Sequence, residues 1–106
     1  MKKGYILDIE TNGFLAELTT IHSICVIDMG SGELHSFTDH ESDSYSGTIR
    51  EGLELLHEQT LIGHNAQAFD VPAIQKLHPW FKPQHVRDTL LITKLIFSDI
   101  KEIDFK

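Results

Sequence analysis

Hydrophobic and polar positions change period several times along this chain, and each change marks an element. Residues 5–10, "YILDIE", are an apolar run closed by two acids, and "TNG" follows as a turn signal. "SICVIDM" and "ELHSF" read as the two strands of a hairpin, with "GSG" as their turn. In "YSGTIREGLELLHEQ", Ile49, Leu53 and Leu56 recur at three- and four-residue spacings, which predicts an amphipathic helix. "TLIGHN" is a brief strand that runs into a loop. In "FDVPAIQKLHPWF", Val71, Ala73, Ile74 and Leu77 share one helical face; Pro72 suits a first helical turn and Pro79 ends the helix. "HVRDTLLITKLIF" reads as a strand that becomes a helix at Asp88, with Asp88 in the N-cap position. The closing "SDIKEIDFK" is polar and expected to fray.

Strand, hairpin pair, helix, strand, helix, strand, helix: that order predicts an α/β mixed sheet of about five strands with flanking helices. The first three strands run antiparallel, and the later two join parallel to the first through right-handed helical crossovers. Ligands in such sheets sit at the carboxyl ends of the parallel strands. Glu10 and His64–Asn65 both end strands at that edge, and Asp70 starts the helix just beyond it.

Composition narrows the choice. A chain of 106 residues makes one domain. The formal net charge of −7 is spread along the chain and argues against a protein that binds DNA through a broad basic face. It leaves room for a nucleic-acid enzyme whose carboxylates hold divalent cations, because the metals reverse the local field. Cys25, the single cysteine, excludes an internal disulfide and is expected to be a buried thiol in the core strand Ile21–Met29. Seven histidines are scattered without a tight two-histidine zinc spacing. With no secretory leader pattern and no apolar run long enough to span a bilayer, a cytoplasmic location is expected.

The candidate chemistry lies in two short motifs. Alternation along a strand puts Asp8 and Glu10 on one face, where two like charges repel unless a cation compensates. Mg²⁺ or Mn²⁺ gives such a pair a reason, since hard cations take oxygen ligands. A bare Asp-x-Glu also occurs at solvated strand ends. In "GHNAQAFD", Gly63 lets the backbone bend out of the strand, Asn65 offers an amide, Phe69 an apolar face and Asp70 a further hard ligand. That segment also suits a plain loop and helix start, with Asp70 favoured by the helix N-terminus.

Taken together, "LDIETNG", "LIGHNAQAFDVPAI" and "VRDTLLITKLI" resemble the 3'–5' exonuclease (proofreading) domain of phage-type family A DNA polymerases, within the DEDD exonuclease superfamily. The resemblance implies a ribonuclease H-like fold, with residues 1–106 as the N-terminal part of the exonuclease domain and incomplete at the C-terminus. It implies that Asp8, Glu10 and Asp70 are the catalytic metal ligands and hold two divalent ions, Mg²⁺ or Mn²⁺. It further implies that Thr11, Asn12, Asn65 and Phe69 bind the substrate, the 3' end of single-stranded DNA. The implied partner is a polymerase domain in the same or a companion chain, with no membrane, in the host cytoplasm if the protein is phage-encoded.

One departure stands out. The family's third motif, Tyr-x-x-x-Asp or His-x-x-x-Asp, supplies a fourth carboxylate and a water-orienting residue, and neither spacing occurs after Asp70. His35 and Asp39 have the spacing, but they precede the second motif and fall in a hairpin strand. Two alternatives therefore stay open: an RNA exonuclease of the same superfamily, or a catalytically inactive fragment that binds nucleic acid or a partner chain.

Overall fold

The computed structural model describes residues 4–40 and 45–89. Its strands are β1 (Gly4–Thr11), β2 (Ile21–Asp28), β3 (Leu34–Phe37), β4 (Thr60–Gly63) and β5 (His85–Asp88). Its α-helices are α1 (Ile49–Leu56) and α2 (Val71–Leu77), and a π-helical turn, Ala66–Asp70, leads into α2. The strands form one sheet in the order β3-β2-β1-β4-β5. β1–β2 and β2–β3 pair antiparallel, while β1–β4 and β4–β5 pair parallel. This is the mixed topology that the period changes predict. The helix expected after Asp88 and the polar tail fall outside the described residues, apart from Thr89, which is helical.

Alternation sorts the side chains of β1 onto two faces. Leu7 and Ile9 are buried, whereas Ile6, Asp8 and Glu10 are exposed. The buried face joins one cluster with Ile24 and Val26 of β2, Leu61 of β4, Leu53 and Leu56 of α1, and Ala73 and Ile74 of α2. On the other face, Ile6 pairs with Ile27, and Ile27 with Leu34, so an apolar row crosses three strands beside the acids. Cys25, opposite Asp8 in register, lies on this second face. It is half-buried rather than buried, with its Sγ 3.7 Å from Ser36 Oγ. The strand Ile21–Met29 is thus a core strand on alternate positions only.

Helix α1 spans the apolar positions from Ile49 to Leu56, and its start is set by a capping box. Thr48 Oγ1 accepts the Glu51 N–H (3.2 Å) and Glu51 Oε1 accepts the Thr48 N–H (2.9 Å). Asp39 adds to the cap by accepting the Ile49 N–H at 3.0 Å, which explains its place near the hairpin. Gly52 lets the helix lie directly on β3: a Cβ there would stand 2.7 Å from the Phe37 ring. Gly52→Ala is therefore expected to lower stability by about 1–3 kcal/mol, since Phe37 is buried and cannot swing clear. A urea midpoint equal to wild type would show that Phe37 has room to give.

Candidate functional site

Gly63 starts the site. At the end of β4 a Cβ would lie 2.8 Å from the Leu7 carbonyl oxygen and 3.0 Å from Ala66 Cβ, so only glycine lets the outgoing chain cross so close to β1. Asn65 then takes a left-handed conformation (φ 61°), which asparagine tolerates better than most residues. The π-helical turn follows and ends on Asp70. A wide turn of this kind changes which way its last side chain faces relative to an α-helix. Here it delivers the Asp70 carboxyl back toward β1.

Asp70 is 5% exposed, and its Oδ2 is buried without a hydrogen-bond partner. Burial is the main reason its pKa is pushed up to about 7. The negative charge of Asp8 adds to the rise, an N–H from Ile9 opposes it, and Asp88 contributes a smaller repulsion. Asp8 and Asp70 thus lie near enough at the carboxyl edge of the sheet for their charges to repel. Glu10 lies two positions along the same face of β1, exposed to solvent. Among the described residues, no three His, Cys, Asp or Glu side chains are gathered closely enough to cage a metal ion. A buried, unpartnered carboxylate oxygen beside a second carboxylate nevertheless fits a hard divalent cation, which would satisfy the orphan and relieve the repulsion.

The other sequence candidates divide. Thr11 and Asn12 spend their side chains on their own loop. Thr11 Oγ1 donates to the Gly13 carbonyl (2.8 Å); Asn12 Oδ1 accepts the Thr19 and Thr20 N–H groups (2.9 and 3.1 Å), and its Nδ2 donates to Thr19 Oγ1 (2.8 Å). Asn65 makes no capping bond with its side chain although it occupies a cap position. Phe69 is half-buried and packs against the core, leaving only part of its ring accessible. Asp88 is buried at the end of β5, where its two oxygens accept the backbone N–H groups of Asn65 (2.9 Å) and Gln67 (3.0 Å). His64 is exposed, with Nδ1 3.5 Å from Thr89 Oγ1. His35 and Asp39 stand away from this edge: His35 sits on β3 near Glu33, and Asp39 caps α1.

Phe14 is a residue that the motifs do not single out. It is 79% exposed, the most open of the large apolar side chains described. Its loop is firmly built, because the Phe14 carbonyl accepts the N–H groups of Glu17 and Leu18, Leu18 is buried, and Lys76 of α2 donates to the Leu15 carbonyl at 2.9 Å. An aromatic ring held in water by a stiff loop just after β1 is costly unless something covers it. The sequence offers only a weak signal for this, an aromatic directly after the Asn12–Gly13 turn.

A mixed β3-β2-β1-β4-β5 sheet with paired carboxylates at its carboxyl edge defines a ribonuclease H-like α/β domain. The comparisons agree: the chain belongs to the RNase H superfamily, whose family model matches residues 5–103. It is 29% identical over 106 residues to the DNA-directed DNA polymerase of Enterobacteria phage T3, covering 93% of this chain and 15% of that protein. It is 27% identical over the same span to the DNA-directed DNA polymerase of Escherichia phage T7, again covering 93% of this chain and 15% of that protein. The resemblance to phage-type polymerases drawn from the motifs is borne out by these relatives, of whose length the chain spans only a small part. In fold, the chain is similar to the family B DNA polymerase of the archaeon Pyrobaculum calidifontis, with a TM-score of 0.53 and 16% identity over 74% of this chain and 11% of that one. Among the described residues, no helix is long and apolar enough to cross a membrane.

Proposed function

We infer that residues 1–106 are the front part of a 3'–5' exonuclease domain that proofreads for a DNA polymerase. The observation that carries this reading is the buried Asp70 carboxylate at the carboxyl edge of the sheet, whose Oδ2 has no hydrogen-bond partner and which lies within reach of the Asp8 charge. Superfamily membership and the phage polymerase relatives support it. Asp8, Glu10 and Asp70 would hold Mg²⁺ or Mn²⁺. When bound, such ions supply positive charge at a scissile phosphate and ease the deprotonation of water. The chain's own residues then bring the 3' end to that edge. Asn65 keeps its carboxamide out of local capping and can bond a base or sugar. The accessible part of Phe69 and the open ring of Phe14 give apolar faces for bases, which suits removal of any nucleotide. Thr11 and Asn12 shape the loop that presents Phe14.

The test is a single-stranded DNA oligonucleotide labelled at its 5' end, incubated with Mg²⁺ or Mn²⁺. Stepwise shortening from the 3' end with release of nucleoside monophosphates is expected, without base preference. Internal cleavage, or shortening only of the matching RNA, would overturn the DNA exonuclease reading. Phe14→Ala is expected to weaken binding of a single-stranded oligonucleotide by about 5- to 100-fold, the span of one lost base–aromatic stack. Unchanged affinity would remove Phe14 from the interface.

A further inference from the structure

We propose that Asp88 is a positioning residue for this site: from the end of β5 its carboxylate locks the turn that carries Asn65 and Asp70, without touching the substrate itself. The proposal deepens the exonuclease reading and rests on it for the role of Asn65; the geometry it uses stands apart from that reading.

Asp88 pairs with Gly63 across β4 and β5, so it lies beside the point where the chain leaves β4. It is 5% exposed; its Oδ1 accepts the backbone N–H of Asn65 at 2.9 Å and its Oδ2 that of Gln67 at 3.0 Å. Amides at the start of a helical turn have no partner within the turn and need an outside acceptor. The residue normally placed to supply it is the one at the cap position, here Asn65, whose side chain makes no such bond. Asp88 does the capping instead, from 21 and 23 residues away in sequence. The exchange has a consequence. A locally capping asparagine would fold its carboxamide back onto the turn, whereas a carboxylate from β5 holds the left-handed Asn65 backbone in place and leaves that carboxamide outside the cap.

The residue type follows from the same geometry. Two N–H donors need two acceptors, and a carboxylate has two. An asparagine has one acceptor oxygen, and its NH₂ would face a second N–H. A glutamate would carry both oxygens one methylene too far. Neither is expected to restore the wild-type arrangement.

Amide hydrogen exchange followed by NMR decides the matter. In the wild type, Asn65 and Gln67 amides are expected to exchange at least about 100-fold more slowly than random coil, and random-coil rates at either would overturn the proposal outright. In Asp88→Asn, exchange at these two amides should rise about tenfold or more, while Leu7 and Val26 in the central strands keep wild-type rates. Acceleration of all amides by one common factor would make Asp88 a general stabiliser and overturn the positioning role. The link to Asn65 is read by affinity for a single-stranded oligonucleotide without metal, in Asn65→Ala, Asp88→Asn and the double variant. Equal losses that do not add are expected, and fully additive losses would overturn that link. Should the wild type bind no oligonucleotide, the nuclease reading fails, and the exchange rates still decide what Asp88 does.

Discussion

Asp70→Ala is expected to cut the release of nucleoside monophosphates from single-stranded DNA by about a hundredfold or more, without unfolding the protein. The size follows from what one positioned group at a phosphoryl-transfer site commonly contributes. The intact fold follows from the burial. Removing the carboxyl strands the Ile9 N–H that it accepts, at a cost of about 1–3 kcal/mol, but it also takes away a buried charge that Asp8 repels, which offsets that loss. Asp8→Ala should act in the same direction, and the double variant should fall little further, because both acids serve one site. The comparison is best run both in residues 1–106 and in a chain that continues through a third acidic motif. The longer chain is expected to be faster by about a hundredfold, since it adds a fourth carboxylate and a residue that orients water. Full activity of Asp70→Ala in the longer chain would end the two-metal assignment. Equal rates for the two lengths would show that the third motif is dispensable.

Stability should fall as pH rises through the range where Asp70 titrates, and Mn²⁺ should restore it. An acid whose folded pKa stands above its ordinary value binds more protons in the folded state than in the unfolded state between the two values. Asp70 stands at about 7 against 3.8, so its contribution is most favourable below 3.8, weakens from there to about 7, and stays at its least favourable above that. The loss is on the order of 2 kcal/mol, the full span being reduced by solvent around the exposed Asp8, and corresponds to a melting temperature lower by about 10 °C. Other carboxylates titrate in the same range, so the quantity to measure is the difference between wild type and Asp70→Asn as a function of pH. That difference should move against the wild type as pH rises. A cation binding the folded carboxylates reverses the effect: at pH 8, Mn²⁺ at a hundred times its dissociation constant adds about 2.7 kcal/mol to the wild type. Asp70→Asn should gain much less. Equal Mn²⁺ stabilisation of both proteins would place the ions elsewhere.

What could be read from the sequence alone was whatever local periodicity controls. Alternation in "YILDIE" sets Asp8 and Glu10 on one face, and they lie on one face. "GSG" closes a hairpin, and β2 and β3 flank it, with Gly32 in the left-handed region (φ 77°). The spacing of Ile49, Leu53 and Leu56 made a helix whose buried side is those residues. A helical connection before each of the later strands then sufficed to set β4 and β5 parallel to β1. Tertiary structure decided everything that depends on two distant segments meeting. Asp70 reaches Asp8 only because β4 pairs with β1, Gly63 tolerates the close crossing, and a π-helical turn rotates the last residue inward; no spacing rule announces such a turn. Asp88 reads as the cap of a helix that lies outside the described residues; that its oxygens also serve the backbone of a turn more than twenty residues back is something nothing local announces. Asn12 and Phe14 follow one another closely in a single polar loop. Which of them is spent on holding the loop and which is left open to solvent is set by Thr19, Thr20, Leu18 and Lys76, through contacts that exist only once the chain has closed on itself.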